Sequence, residues 1–110
     1  MEFNIRNLSG GAVMRVSGDV DMASSPALLK AALRLLRSPA AGGLVINLSG
    51  VDYIDSSGVA SLIEVLQESR RRRVRLRLAC LNEGPRDVLE LTRLLDVFEV
   101  HATEESAVEA

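Results

Sequence analysis

Apolar residues recur along the chain with two different periods, and the changes of period predict its elements. Phe3 and Ile5 alternate with Glu2, Asn4 and Arg6, a period of two that predicts a short strand. Ser9-Gly10-Gly11 reads as a hairpin turn, and Ala12 to Ser17 as the return strand, with Met14 and Val16 on one face. Gly18-Asp19-Val20-Asp21 ends that strand. Ser24-Ser25-Pro26 is a helix start, with a serine as cap and proline in the first turn, where no donor is wasted. Leu29, Ala32, Leu33 and Leu36 follow at helical spacing, and Ser38-Pro39 with Gly42-Gly43 stop the helix and form a loop. Leu44 to Leu48 is a short apolar run, which predicts a strand buried on both faces and central in its sheet.

The second half repeats the alternation. Ser49 to Ser57 connects that strand to a helix beginning at about Gly58, whose inward face carries Val59, Leu62, Ile63 and Leu66. Arg70 to Arg73 close it, placing cations at the negative end of the helix dipole. Val74, Leu76 and Leu78 alternate with Arg75, Arg77 and Ala79, predicting a strand with an exposed basic face or edge. Glu83-Gly84-Pro85 opens a third helix with Val88, Leu91 and Leu95 facing inward. Val97 to Val100 is a last short strand, and Thr103-Glu104-Glu105 caps a small terminal helix. The order β-β-α-β-α-β-α-β-α implies an α/β fold: a mixed, mostly parallel sheet of four or five strands with about four helices.

Composition narrows the class. At 110 residues, 47% hydrophobic and 25% charged, the chain suits one globular domain, 1–110. Aromatics make up only 3%, so Leu, Val, Ile and Ala must build the core. A net charge of -2 does not point to nucleic acid or to an anionic membrane as a partner. The single cysteine, Cys80, permits no internal disulfide and reads as a small buried apolar residue near a strand end. Neither a signal peptide nor a run of roughly 18 to 20 apolar residues is evident, so the expectation is a cytoplasmic domain without direct membrane insertion.

Candidate chemistry concentrates in Val51-Asp52-Tyr53-Ile54-Asp55-Ser56-Ser57-Gly58, where a loop becomes a helix. Free amides at a helix N-terminus favour negative charge, a phosphate included. Gly58 removes side-chain bulk there, so a partner's backbone could approach. Taken alone, the local chemistry favours Ser56 or Ser57 as a plain helix cap.

Three segments together resemble the STAS family, named for sulfate transporters and anti-sigma-factor antagonists. Gly18-Asp19-Val20-Asp21 is similar to its Gly-Glu-Leu-Asp at the end of the second strand. Ile46-Asn47-Leu48-Ser49 followed by Tyr53-Ile54-Asp55-Ser56-Ser57-Gly58 resembles its signature, and Pro85 to Leu94 is similar to its third helix. Val59-Ala60 stands where the family often has Leu-Gly, and the basic stretch Arg70 to Arg77 is denser than the family pattern. The resemblance implies a STAS fold and a phosphorylation-switched module that binds an anti-sigma factor serine kinase and so releases a sigma factor. It implies phosphorylation on Ser56, with Ser57 as the secondary acceptor, and reversal by a serine phosphatase. It also implies a partner surface of Asp19, Asp21, Asp55, Ser56, Ser57 and Gly58. Family members that regulate lipid-transport ATPases, or sit in other signalling complexes, are the alternative.

Other chemistries fit less well. Gly-x-Ser-x-Gly is absent, and the one histidine, His101, reads as a surface residue, so no esterase is expected. One Cys and one His make no usual metal cluster, and no Walker loop or other cofactor motif occurs. A receiver domain would need its acidic pair from Asp19 and Asp21, which follow a hairpin. The arginine run could meet RNA, an anionic lipid surface or an acidic protein, but reads first as a solvated helix end.

Overall fold

A computed structural model provides the structure and describes residues 1–38 and 42–110. The elements are β1 (Glu2–Leu8), β2 (Gly11–Ser17), α1 (Ser25–Leu36), β3 (Gly43–Gly50), α2 (Ser56–Arg71), β4 (Arg75–Ala79), α3 (Glu83–Leu91), a 3-10 turn (Leu95–Val97), β5 (Glu99–His101) and α4 (Glu104–Glu109). One five-stranded sheet holds the strands in the order β1-β2-β3-β4-β5. The β1–β2 hairpin is antiparallel, and every other pairing is parallel. This is the mixed α/β architecture the periodicity predicts, with β3 at its centre and Ile46 fully buried.

The main core lies on one face. Met14 and Val16 of β2, Ile46 and Leu48 of β3 and Leu78 of β4 meet Leu28, Ala32 and Leu36 of α1 and Leu62 and Val65 of α2. The opposite face is covered sparingly. There α4 inserts only Ala107, onto Val13, Val45 and Ala79. That thin cover is nevertheless why β3 is buried on both faces. Polar clamps hold α4 down: Arg6 donates to Glu104 at 2.7 Å and Asn47 to Glu104 at 2.9 Å.

Several elements differ from the sequence expectation, each for a local reason. The inward stripe of α1 is Ser25, Leu28, Ala32 and Leu36, while Leu29 and Leu33 pack at its flanks. Ser24 does not cap α1. Its hydroxyl is taken by the preceding turn, donating to the Asp19 carbonyl (2.7 Å) and accepting from the Asp21 amide (3.0 Å). Leu91, expected inside, is 84% exposed. The helix α3 closes after nine residues, and Arg93, at φ 60°, turns the chain so that Leu94 and Leu95 pack from beyond the helix. Residues 95–97 form the 3-10 turn, so β5 starts at Glu99. Of the residues expected on a basic face of β4, Arg75 is exposed, Arg77 is half-buried and Ala79 is buried under α4. Cys80 follows β4 at φ 62° and is half-buried. His101 is half-buried rather than solvated, with its ring nitrogens 2.8 Å from Glu99 and 3.0 Å from Ser106. Pro39 lies outside the described residues, and Gly43 belongs to β3.

Candidate functional site: the start of the second helix

The site forms where the carboxyl ends of β2 and β3 open into their loops. Such ends are where α/β sheets collect binding residues. Two backbone bonds lock the loops together. The Val20 amide donates to the Tyr53 carbonyl at 2.9 Å, and the Asp55 amide donates to the Val20 carbonyl at 3.1 Å. Val20 and Ile54 thereby form an isolated parallel bridge, and both side chains are buried. The sequence-predicted residues Asp19 and Asp21 are brought alongside Asp55 by this bridge, across 34 residues of chain.

The helix cap is Asp55. Its carboxylate accepts from the Gly58 amide at 3.0 Å, and its backbone is extended, as an N-cap requires. Ser56 and Ser57 are consequently the first two helical residues, and α2 starts two residues earlier than its apolar pattern indicates. Ser56 is exposed, Ser57 is half-buried, and neither hydroxyl has a hydrogen-bond partner among the described residues. The capping role that local chemistry allowed for either serine is therefore filled by its neighbour.

Gly58 is buried, and the close approach it permits is internal rather than to an outside backbone. A Cβ there would stand 2.5 Å from Ile54 Cγ1, 2.7 Å from Val20 Cγ1 and 2.8 Å from the Val20 carbonyl oxygen. Gly58 is thus what lets α2 lie against the bridge.

The acidic residues divide by role. Asp21 accepts from the amides of Ala23 and Ser24, both at 3.0 Å. Those bonds, the Ser24 amide first, hold its carboxyl below the usual carboxylate range. Asp19 is exposed, while Asp55 is half-buried in its capping bond. The backbone between them also presents two exposed apolar side chains, Met22 at 77% and Tyr53 at 53%.

Sequence reasoning missed Asn82. Its side-chain amide donates to the carbonyls of Ser49 and Val51, both at 2.9 Å, and so fixes the β3–α2 loop from the far side. It precedes Glu83-Gly84-Pro85, and its placement before that helix start is the one signal available in sequence. In the structure it is N-cap by position but makes no cap bond, because its side chain serves the neighbouring loop. Gly84 supports the same contact, since a Cβ there would collide with the Asp52 carbonyl.

Among the described residues no group of three or more His, Cys, Asp or Glu is disposed to hold a metal ion. Among them, too, no helix is long and apolar enough to cross a membrane.

Comparison with known proteins agrees with this architecture. The anti-sigma-F factor antagonist RsfA of Mycobacterium tuberculosis (strain H37Rv) is 27% identical over all of this chain and 87% of the relative. The crystal structure of an anti-sigma factor antagonist from Mycobacterium paratuberculosis superposes with a TM-score of 0.86 at 27% identity, covering 98% of this chain and 91% of that one. The phosphorylated form of the Bacillus cell fate determinant SpoIIAA gives a TM-score of 0.74 at 21% identity, covering 98% and 97% of the two chains. The family model of the STAS domain matches residues 2–107, and with a β-β-α-β-α-β-α-β-α chain order and the Asp55-Ser56-Ser57-Gly58 segment at the head of α2, the protein belongs to the STAS domain family.

Proposed function

We infer that this domain is an anti-sigma factor antagonist: a non-enzymatic binding module of the cytoplasm that grips an anti-sigma factor and is released by phosphorylation of Ser56. The observation that carries the reading is the free, exposed Ser56 hydroxyl at the first position of α2, with capping left to Asp55. The names of the relatives point the same way. An anti-sigma factor with serine kinase activity would transfer a phosphoryl group to Ser56 Oγ, and a serine phosphatase would remove it. Ser57, half-buried, is the weaker acceptor.

Phosphorylation adds roughly -1.5 to -2 charges at neutral pH. The open amides at the start of α2 stabilise such a charge by about 1 kcal/mol, so the fold should survive. The docking surface of Asp19, Asp21, Asp55, Ser56 and Ser57, with Gly58 buried beneath it seating α2, would instead become more negative, and burying a phosphate there without a cation costs several kcal/mol, on the order of 3. At about 1.4 kcal/mol per factor of ten, that turns a tight complex into a negligible one.

The test is calorimetric titration of the cognate anti-sigma factor, found through neighbouring genes. Ser56→Ala should bind and stay bound, whereas Ser56→Asp should bind at least a hundredfold more weakly while melting like the parent. Equal affinities would leave Ser56 without a switching role. A lipid-transport ATPase as partner would bind through the same helix and show no such dependence.

A further inference from the structure

The ends of the crossover helices opposite Ser56 carry an unusual concentration of charge. Each of α1 and α2 leaves the carboxyl end of one strand and returns to the amino end of the next parallel strand. Their C-termini therefore gather at one end of the sheet, and α2 separates them from the switch serine by about 24 Å (16 residues at ~1.5 Å each). Arg34, Arg37, Arg70, Arg71, Arg72 and Arg73 lie there, all exposed. Glu68 pairs with Arg71 and Arg72, and the other four make no ion pair among the described residues.

Complementing the helix dipole explains a cation or two at each end. It does not explain Arg73. The α2 terminus is closed by amides of Arg73 and Val74 donating to the carbonyls of Arg70 (3.2 Å) and Ser69 (2.8 Å), a motif whose turning residue is ordinarily glycine. Arg73 occupies that position at φ 58°, the left-handed region an L side chain disfavours. A cation stands where the backbone would prefer glycine. Arg93 closes α3 by the same pair of bonds at φ 60°, so the left-handed turn is a repeated helix stop here, and what sets this surface apart is its clustered charge.

We propose that this basic end is a docking surface for an anionic lipid membrane. Six guanidinium groups on adjoining helix ends form a broad positive face rather than a shaped pocket, which suits a fluid plane of phosphodiester headgroups. The third crossover helix, α3, runs in the same sense. Just beyond its end Arg93 shares a hollow with Glu90 and Asp96, one cation against two carboxylates, so this end adds no positive charge, but the last residue of α3, Leu91, stands 84% exposed. A bare leucine flanking a cationic face fits the boundary between headgroups and acyl chains. Nucleic acid is the poorer match, because no exposed aromatic side chain accompanies the arginines and Tyr53 lies at the opposite end. Docked this way, the domain turns Asp55-Ser56 away from the lipid and leaves it open to a partner. The surface is independent of the switch reading, since a charge on Ser56 lies beyond the ~10 Å screening length at 0.1 M salt.

Co-sedimentation of the full chain with phosphatidylcholine vesicles, with and without phosphatidylserine, tests it. The protein should pellet with the phosphatidylserine vesicles at low salt (about 0.1 M, where charges ~24 Å away are screened), be released by about 1 M salt, and ignore phosphatidylcholine alone. Each arginine is expected to contribute about fivefold in partition, so the combined Arg70→Gln, Arg71→Gln, Arg72→Gln, Arg73→Gln variant should lose several hundredfold. Arg73→Gly, which relieves the backbone and keeps the fold, should lose about fivefold by itself, and Ser56→Asp should partition like the parent. Absence of low-salt binding, pelleting with phosphatidylcholine alone, or undiminished binding by the Arg73→Gly and quadruple variants would each overturn the proposal. So would retention on a duplex oligonucleotide by a protein that ignores the vesicles.

Discussion

Replacing Gly58 by alanine sets two effects against each other, and the structure says which wins. Within a helix, Gly→Ala is ordinarily favourable by about 0.5–1 kcal/mol, because it removes backbone entropy from the unfolded chain. At Gly58 the added methyl would sit 2.5 Å from Ile54 Cγ1 and 2.7 Å from Val20 Cγ1. Neither neighbour can swing away: both are β-branched, Val20 is fully buried and Ile54 is 3% exposed. The third contact, the Val20 carbonyl at 2.8 Å, is held by the Asp55 amide. Overpacking of this kind costs about 1–3 kcal/mol, so the net expectation is a loss of about 1–2 kcal/mol. For a domain near this size that lowers Tm by roughly 5–10 °C. Urea denaturation and thermal melting by circular dichroism measure it. Adding Val20→Ala should make the pair non-additive, because the smaller side chain gives the methyl room. A Gly58→Ala protein as stable as the parent would refute the argument that α2 is seated by this contact. The same variant should also weaken partner binding, since relief of the clash must move Ser56 relative to Asp21.

Asn82→Ala removes the donor to two loop carbonyls and should cost about 1–2 kcal/mol in urea denaturation, with a larger effect on partner affinity than other surface changes in α3. Glu99 is held at about 2, chiefly by its hydrogen bonds from Arg75, against 4.5 for an ordinary glutamate. Its folded value is depressed, so its stabilisation is complete above pH 4.5 and drains away as the pH falls towards 2. Acid titration of stability should therefore be steeper for the parent than for Glu99→Gln in that window, and identical slopes would argue against the Arg75–Glu99 contact. Arg73→Gly should raise stability by about 1 kcal/mol as the left-handed residue is relieved.

Much of the fold was legible in the chain. Short-range periodicity carries element identity, because burial of one face imposes a period of two on strands and 3.6 on helices. That sufficed for the hairpin, the central strand at Leu44 to Leu48, the three crossovers and the family signature around Asp55-Ser56-Ser57-Gly58. Tertiary contacts decided what periodicity cannot encode. Asp55 rather than a serine caps α2 because the bridge of Ile54 to Val20 sets where the chain turns into the helix. Gly58 is small for the sake of Val20, a residue 38 positions earlier. Leu91 faces outward because α3 stops before its apolar stripe is used up. Asn82 serves a loop more than thirty residues away, and the arginines of α1 and α2 share one end of the molecule only because parallel crossovers return every helix to it. Local sequence determines which face of an element is apolar. Which side chains from distant elements meet, and which are left free, follows from how the sheet stacks them.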